Sequence, residues 1–174
     1  LSNYDKNKLP NAKNFRFGIV VSEWNNHITE NLYKGCETAL LDCDVKKENI
    51  LRWNVPGSFE LIYGAQRMIV TQEIDAVITI GCVIKGDTPH FDYVAGEAAS
   101  GLMRASMKTG VPVMFGVITA DNVQQVIERT GDGPDNKGFE AAISAIETAS
   151  TLSEIRRKTE ARFEVRKESY LNVA

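Results

Sequence analysis

Ala76-Val77-Ile78-Thr79-Ile80-Gly81 is followed, after a loop to His90, by Phe91, Val94, Ala95, Ala98, Ala99, Leu102 and Met103. The first stretch is a short apolar, β-branched run, which predicts a strand buried on both faces and ended by Gly81. The second keeps the i, i+3, i+4, i+7 spacing of a helix with one apolar side, and Gly110 stops it. A buried strand feeding an amphipathic helix is one βα unit.

The same unit recurs on either side. Upstream, Phe17 to Val21 predicts a strand, and Asn26 caps a helix marked by Ile28, Leu32, Cys36, Ala39, Leu40 and Cys43. Ile50 to Val55 predicts a second strand. After the turn Pro56-Gly57, Ser58 opens a helix whose apolar face is Phe59, Ile62, Ala65, Met68 and Ile69. Downstream, Val113 to Ile118 is the fourth strand. Asp121 caps a short helix to about Thr130, Gly131 to Gly133 turns, and a last helix runs from Asn136 to Lys158. Four βα units joined by right-handed crossovers predict an α/β fold. The architecture is a three-layer αβα sandwich on a four-stranded parallel sheet, flavodoxin-like in topology. The polar opening 1–14 reads as a flexible arm without a secretory leader. Residues 15–158 form a single domain, and the charged tail 159–174 is expected to fray.

Composition narrows the function. Of 174 residues, 43% are hydrophobic and 25% charged, which supplies a core and excludes a disordered chain. Lys plus Arg is 20 against 23 Asp plus Glu, a net charge of −3, so the basic surplus of a nucleic-acid binder is missing. No apolar run approaches the roughly 20 residues of a membrane span. The three cysteines, Cys36, Cys43 and Cys82, make no CxxC pair and read as free, buried thiols of a reducing, cytoplasmic compartment. With only His27 and His90 beside them, no zinc spacing arises, and no metal is expected.

In parallel sheets the ligand lies at the carboxyl ends of the strands. Trp24, after the first strand, either stacks on a flat heteroaromatic ring or covers the core edge. Glu60, after the second, either accepts hydrogen bonds from polyol hydroxyls or merely complements a helix dipole. The third strand leads into Cys82-Val83-Ile84-Lys85-Gly86-Asp87-Thr88-Pro89-His90. Gly86 permits close backbone approach, Thr88 adds a hydroxyl, and the helix that follows favours an anion at its start. Asp87 would contribute its N–H, with the carboxylate turned away. His90, beside that anion site, is the candidate general acid/base. His27 reads as solvated. Phe115 presents a ring at the sheet edge. Arg129 and Lys137 are either phosphate ligands or helix-end surface charges.

Taken in order, these stretches resemble the lumazine synthase family of riboflavin biosynthesis. The likeness runs from about Phe15 to Ile155. It is carried by Gly18-Ile19-Val20-Val21 with Trp24-Asn25, by Val55-Pro56-Gly57-Ser58-Phe59-Glu60 and by Gly81 to Val94. Pro112-Val113-Met114-Phe115-Gly116-Val117, Glu128-Arg129 and Asn136-Lys137-Gly138 complete it. The resemblance implies a condensation of 5-amino-6-(D-ribitylamino)uracil with 3,4-dihydroxy-2-butanone 4-phosphate, without metal or organic cofactor. It implies that Trp24 stacks on the pyrimidine, and that Ser58, Phe59 and Glu60 hold the ribityl chain. Cys82, Val83 and Ile84 would bind the pyrimidine edge, Gly86, Asp87 and Thr88 the phosphate, and His90 would move protons. Phe115 and Arg129, with Lys137 near, would reach in from a neighbouring subunit. The resemblance further implies a homopentamer, a sixty-subunit icosahedral shell as an open possibility, and riboflavin synthase as a possible partner. Two other functions fit the sequence less well. A non-catalytic flavin carrier would bind without releasing phosphate, and the phosphate cradle beside His90 argues against it. A receiver-like signalling module needs clustered Asp at the first and third strand ends, where Ser22-Glu23-Trp24 and Gly81-Cys82-Val83 stand instead.

Overall fold

The computed structural model describes residues 9–171 along the backbone, with side chains through residue 162. Four strands, β1 (Phe17–Ser22), β2 (Ile50–Val55), β3 (Ala76–Ile84) and β4 (Val113–Ala120), form one parallel sheet in the order β2-β1-β3-β4. Helices α1 (Asn26–Asp42) and α5 (Lys137–Leu171) cover one face. Helices α2 (Leu61–Thr71) and α3 (His90–Thr109) cover the other. A short α4 (Val123–Ile127) follows β4. This is the expected α/β sandwich with flavodoxin-like strand order.

Side-chain alternation along β1 builds both cores. Phe17, Ile19 and Val21 join the α1/α5 side with Leu32, Leu40, Ile143 and Ile146. Val20 joins the α2/α3 side with Leu61, Met68, Val77 and Leu102. The two inner strands are buried on both faces, as parallel sheets require.

Several boundaries differ from the expectation. Gly81 does not end β3, because β4 runs on to Ala120 and pairs Gly81 with Val117, Cys82 with Ile118 and Ile84 with Ala120. The loop before α3 therefore shrinks to 85–89. The turn at Ser58 does not open α2, which starts at Leu61 with its first helical bond from the Gly64 N–H to the Glu60 carbonyl at 3.0 Å. Asn25, not Asn26, precedes α1, in a left-handed conformation with φ 61°. Asn122, not Asp121, caps α4, its side chain accepting from the Gln125 N–H. On α3, Met103 and Ala99 are exposed, and the buried stripe is Ala98, Gly101, Leu102 and Ala105. The last helix continues to Leu171 instead of stopping near Lys158. Residues 1–8 of the expected arm and 172–174 of the expected tail lie outside the described residues. Ala12 is buried and donates its N–H to the Cys43 carbonyl at 3.2 Å.

Where α1 meets α5 there is no room for a side chain at Gly138. A Cβ there would lie 1.9 Å from the Leu32 carbonyl oxygen, which is helix backbone and cannot rotate away. Gly138→Ala is expected to lower stability by about 3 kcal/mol or more. Urea unfolding checks this as a lower midpoint at unchanged slope.

Candidate active site

The strand order reverses between β1 and β3, since β2 lies outside β1 on one side and β4 outside β3 on the other. Such a reversal opens a crevice at the carboxyl ends of the two central strands. A cleft of about 830 Å³ occupies that place. The loop after β1 is fastened to the one after β2 by the Glu23 N–H on the Val55 carbonyl (2.8 Å) and the Trp24 N–H on the Pro56 carbonyl (3.0 Å). Asn25 turns back in its left-handed conformation, and its Nδ2 donates to the Cys82 carbonyl at 3.4 Å. This side chain ties the β1 loop to β3. Its signal in the sequence is that Asn tolerates φ > 0 better than most residues.

Ten of the sequence-predicted residues line this one cleft: Trp24, Ser58, Phe59, Glu60, Cys82, Val83, Ile84, Gly86, Thr88 and His90. Trp24 is 71% exposed and Phe59 51%, so the rim offers two aromatic faces to a ligand. The alternative of Trp24 as a core cover does not hold. The Glu60 carboxylate folds back over Gly57, where a Cβ would lie 2.8 Å from Oε2. Ser58 is buried, and its Oγ has no hydrogen-bond partner among the described residues. Burial pushes the Cys82 thiol up to about 11, so it stays protonated at neutral pH and is no nucleophile. All three cysteines are buried thiols.

His90 is the first residue of α3, which no side chain caps. The start of that helix, His90 and Phe91, lines the cleft together with Gly86 and Thr88 of the exposed loop before it. The His90 imidazole is exposed and makes no hydrogen bond or ion pair among the described residues. Asp87 is exposed and does not line the cleft. Tyr93, Val94 and Glu97 do line it, one and two helical turns beyond His90. Sequence reading missed them as site residues, although their spacing from His90 puts them on its side of α3.

Phe115, Arg129 and Lys137 are elsewhere. They line a second cleft of about 480 Å³ between β4 and α5. Phe115 is not at the carboxyl end of β4 but near its start. It is 45% exposed because β4 is an edge strand. Arg129 donates from Nη1 to the Gln125 carbonyl at 2.5 Å and lies 3.9 Å from a Glu128 carboxylate oxygen. The Lys137 ammonium pairs with Glu140 at 2.6 Å. Among the described residues there is no cluster of His, Cys, Asp and Glu fit to hold a metal ion, and no helix is long and apolar enough to cross a membrane.

Residues 14–153 match the family model of 6,7-dimethyl-8-ribityllumazine synthase. The chain belongs to the 6,7-dimethyl-8-ribityllumazine synthase family. A relative of that name from Flavobacterium johnsoniae is 60% identical over 149 residues, 86% of this chain and 78% of its own length. Those from Flavobacterium psychrophilum and Christiangramia forsetii are 58% and 53% identical over 86% of this chain, covering 79% and 89% of their own lengths. Membership makes the chain a transferase-type enzyme of riboflavin biosynthesis. The family match takes in every candidate residue of both clefts.

Proposed function

We propose that the chain condenses 5-amino-6-(D-ribitylamino)uracil with 3,4-dihydroxy-2-butanone 4-phosphate in a site shared between two copies. One copy supplies the cleft at the β1/β3 switch point, and a neighbour supplies Phe115, Arg129 and Lys137. The observation that carries this reading is the division of the site. The stacking ring, polyol acceptor and proton carrier share one cleft, while Arg129 and Lys137 line another. Closing the site therefore needs a head-to-tail contact between copies, which generates a ring.

In the proposed mechanism Trp24 stacks on the pyrimidine, and Cys82, Val83 and Ile84 offer backbone groups to its edge. Ser58, Phe59 and Glu60 take the ribityl chain, and the unpartnered Ser58 hydroxyl gains a partner there. Gly86, Asp87 and Thr88 cradle the phosphate with the α3 N-terminus. A Cβ at Gly86 would meet nothing within 4 Å, and its φ is not left-handed. The fold itself therefore places no demand for glycine at this position, and an approaching ligand does. Holding both reactants supplies orientation. The 5-amino group attacks the ketone, and loss of water gives an imine. Proton removal from the carbon next to it expels orthophosphate and leaves an enol, which takes up a proton on its terminal carbon to become a ketone. The second amine then closes the ring with loss of water, giving 6,7-dimethyl-8-ribityllumazine. The atoms balance without oxidant or reductant. His90 takes and returns the protons, and Arg129 with Lys137 meets the charge that grows on the leaving phosphate.

We further propose a homopentamer as the working unit, with a sixty-subunit shell as the open alternative, and a cytoplasmic setting in keeping with the buried thiols. Incubation with both substrates should release orthophosphate and form the fluorescent lumazine in equal amounts. Stoichiometric binding of lumazine without phosphate release would instead make the chain a carrier. Light scattering on the same sample separates pentamer from shell.

A further inference from the structure

Asn136 lies between a single 3-10 turn, Gly133–Asp135, and the first residue of α5. It is 2% exposed. Its Nδ2 donates to the Asn31 carbonyl at 3.0 Å and to the Gly131 carbonyl at 2.9 Å. Its Oδ1 accepts from the Gly138 N–H at 2.8 Å and the Phe139 N–H at 3.3 Å. Both N–H groups and both lone pairs of the carboxamide are therefore in use. The carboxamide is also boxed in, since a Cβ on Gly35 of α1 would stand 2.4 Å from it. The side chain cannot turn without moving α1 away from α5.

What this carboxamide holds is the segment bearing the two cations. Gly131, two residues after Arg129, is tied to it directly. Lys137, next in sequence, closes the segment by donating its N–H to the Arg129 carbonyl at 2.9 Å. Three exposed residues, Asp132, Pro134 and Asp135, lie between these ties. We propose that Asn136 is the positioning residue of the phosphate-binding cations. It fixes Arg129 and Lys137 relative to each other and to α1, and does not itself touch substrate. The inference rests on the two-copy reading above, in which these cations receive the phosphate.

The test separates positioning from simple structural support. Asn136→Asp keeps the shape and the acceptor for the Gly138 and Phe139 N–H groups but sets a carboxylate against the two carbonyls, so it cuts the Gly131 tie. It should raise KM for the butanone phosphate about tenfold, the equivalent of losing one charge-assisted contact. Inhibition by inorganic phosphate should weaken by a like factor, with KM for the ribitylaminouracil unchanged and the assembly mass unchanged. Leu32→Ala, which loosens the same α1/α5 crossing without touching the carboxamide, should not produce this split. If Asn136→Asp does not fold, Asn136→Ser is measured instead, with the same expected split. Both KM values rising together, an altered assembly mass, the same split in Leu32→Ala, or no change at all each overturns the inference. Absence of phosphate release by the wild-type chain would overturn the functional reading instead. Calorimetry with inorganic phosphate on wild type and variant would then still decide the role of Asn136.

Discussion

His90→Ala is expected to lower kcat by roughly 10²–10⁴-fold, the range over which a positioned acid/base group accelerates proton transfer. Imine formation, phosphate elimination and ring closure each need a proton taken from or given to the reacting atoms, and imidazole is the side chain that exchanges protons near neutral pH. Within the cleft His90 stands at the α3 start beside Gly86 and Thr88. Its side chain is exposed and has no partner among the described residues, so the fold does not depend on it. The unfolding free energy should stay within about 0.5 kcal/mol of wild type. Both KM values should move little, because the stacking ring, the polyol acceptor and the cations are untouched. Steady-state kinetics beside urea unfolding checks both halves. A wild-type kcat would remove His90 from the mechanism.

Arg129→Ala acts at the other half of the site. A guanidinium has five N–H donors, and here one nitrogen serves the Gln125 carbonyl, leaving the rest of the fork for phosphate oxygens. Losing a charged hydrogen-bonded contact costs about 1.5–3 kcal/mol, or roughly 10- to 100-fold in KM for the butanone phosphate. The kcat should fall as well, since the same charge meets the leaving phosphate. The KM for the ribitylaminouracil should stay put. Arg129→Lys should recover part of the loss, as a point charge replaces a planar fork. Stability should fall by no more than about 1.5 kcal/mol, since the Gln125 carbonyl loses one part-buried hydrogen bond and the Glu128 contact is a surface pair at 3.9 Å. Initial-rate kinetics with each substrate varied in turn checks the split. Equal rises in the two KM values would contradict it.

The fold was legible because its signals are local. Apolar β-branched runs marked β1 and β3, and 3.6-residue spacing marked the helices between strands. What was not legible depends on partners distant in sequence. Gly81 looks like a stop until β4 is seen to pair with it. Nothing in Val113 to Ile118 shows that β4 continues to Ala120. The caps slipped by one residue at Asn25 and Asn122, where neighbouring polar residues compete for the same position. The α5 extension to Leu171 reads as tail because its sequence is rich in charge.

The site divides in the same way. Trp24, Ser58 to Glu60, Cys82 to Ile84 and His90 share one cleft because strand ends in a parallel sheet converge, a rule available before any coordinates. Asn25, Tyr93 and Glu97 needed the structure, since only the turn of the β1 loop and the rotation of α3 bring them to that cleft. Asn136 gave no sequence signal of its role, because its four partners come from α1, the Gly131 turn and the start of α5.

The central claim is that one working site takes His90 from one copy and Arg129 from another. Mixing His90→Ala and Arg129→Ala chains, unfolding them together and letting them reassemble tests it most directly. In a randomly mixed head-to-tail ring, about a quarter of the sites combine an intact His90 with an intact Arg129. At butanone phosphate well below the KM of Arg129→Ala, phosphate release is expected to rise from the low rate of either variant alone to about that fraction of wild type. A mixture no more active than the two variants measured separately would contradict it.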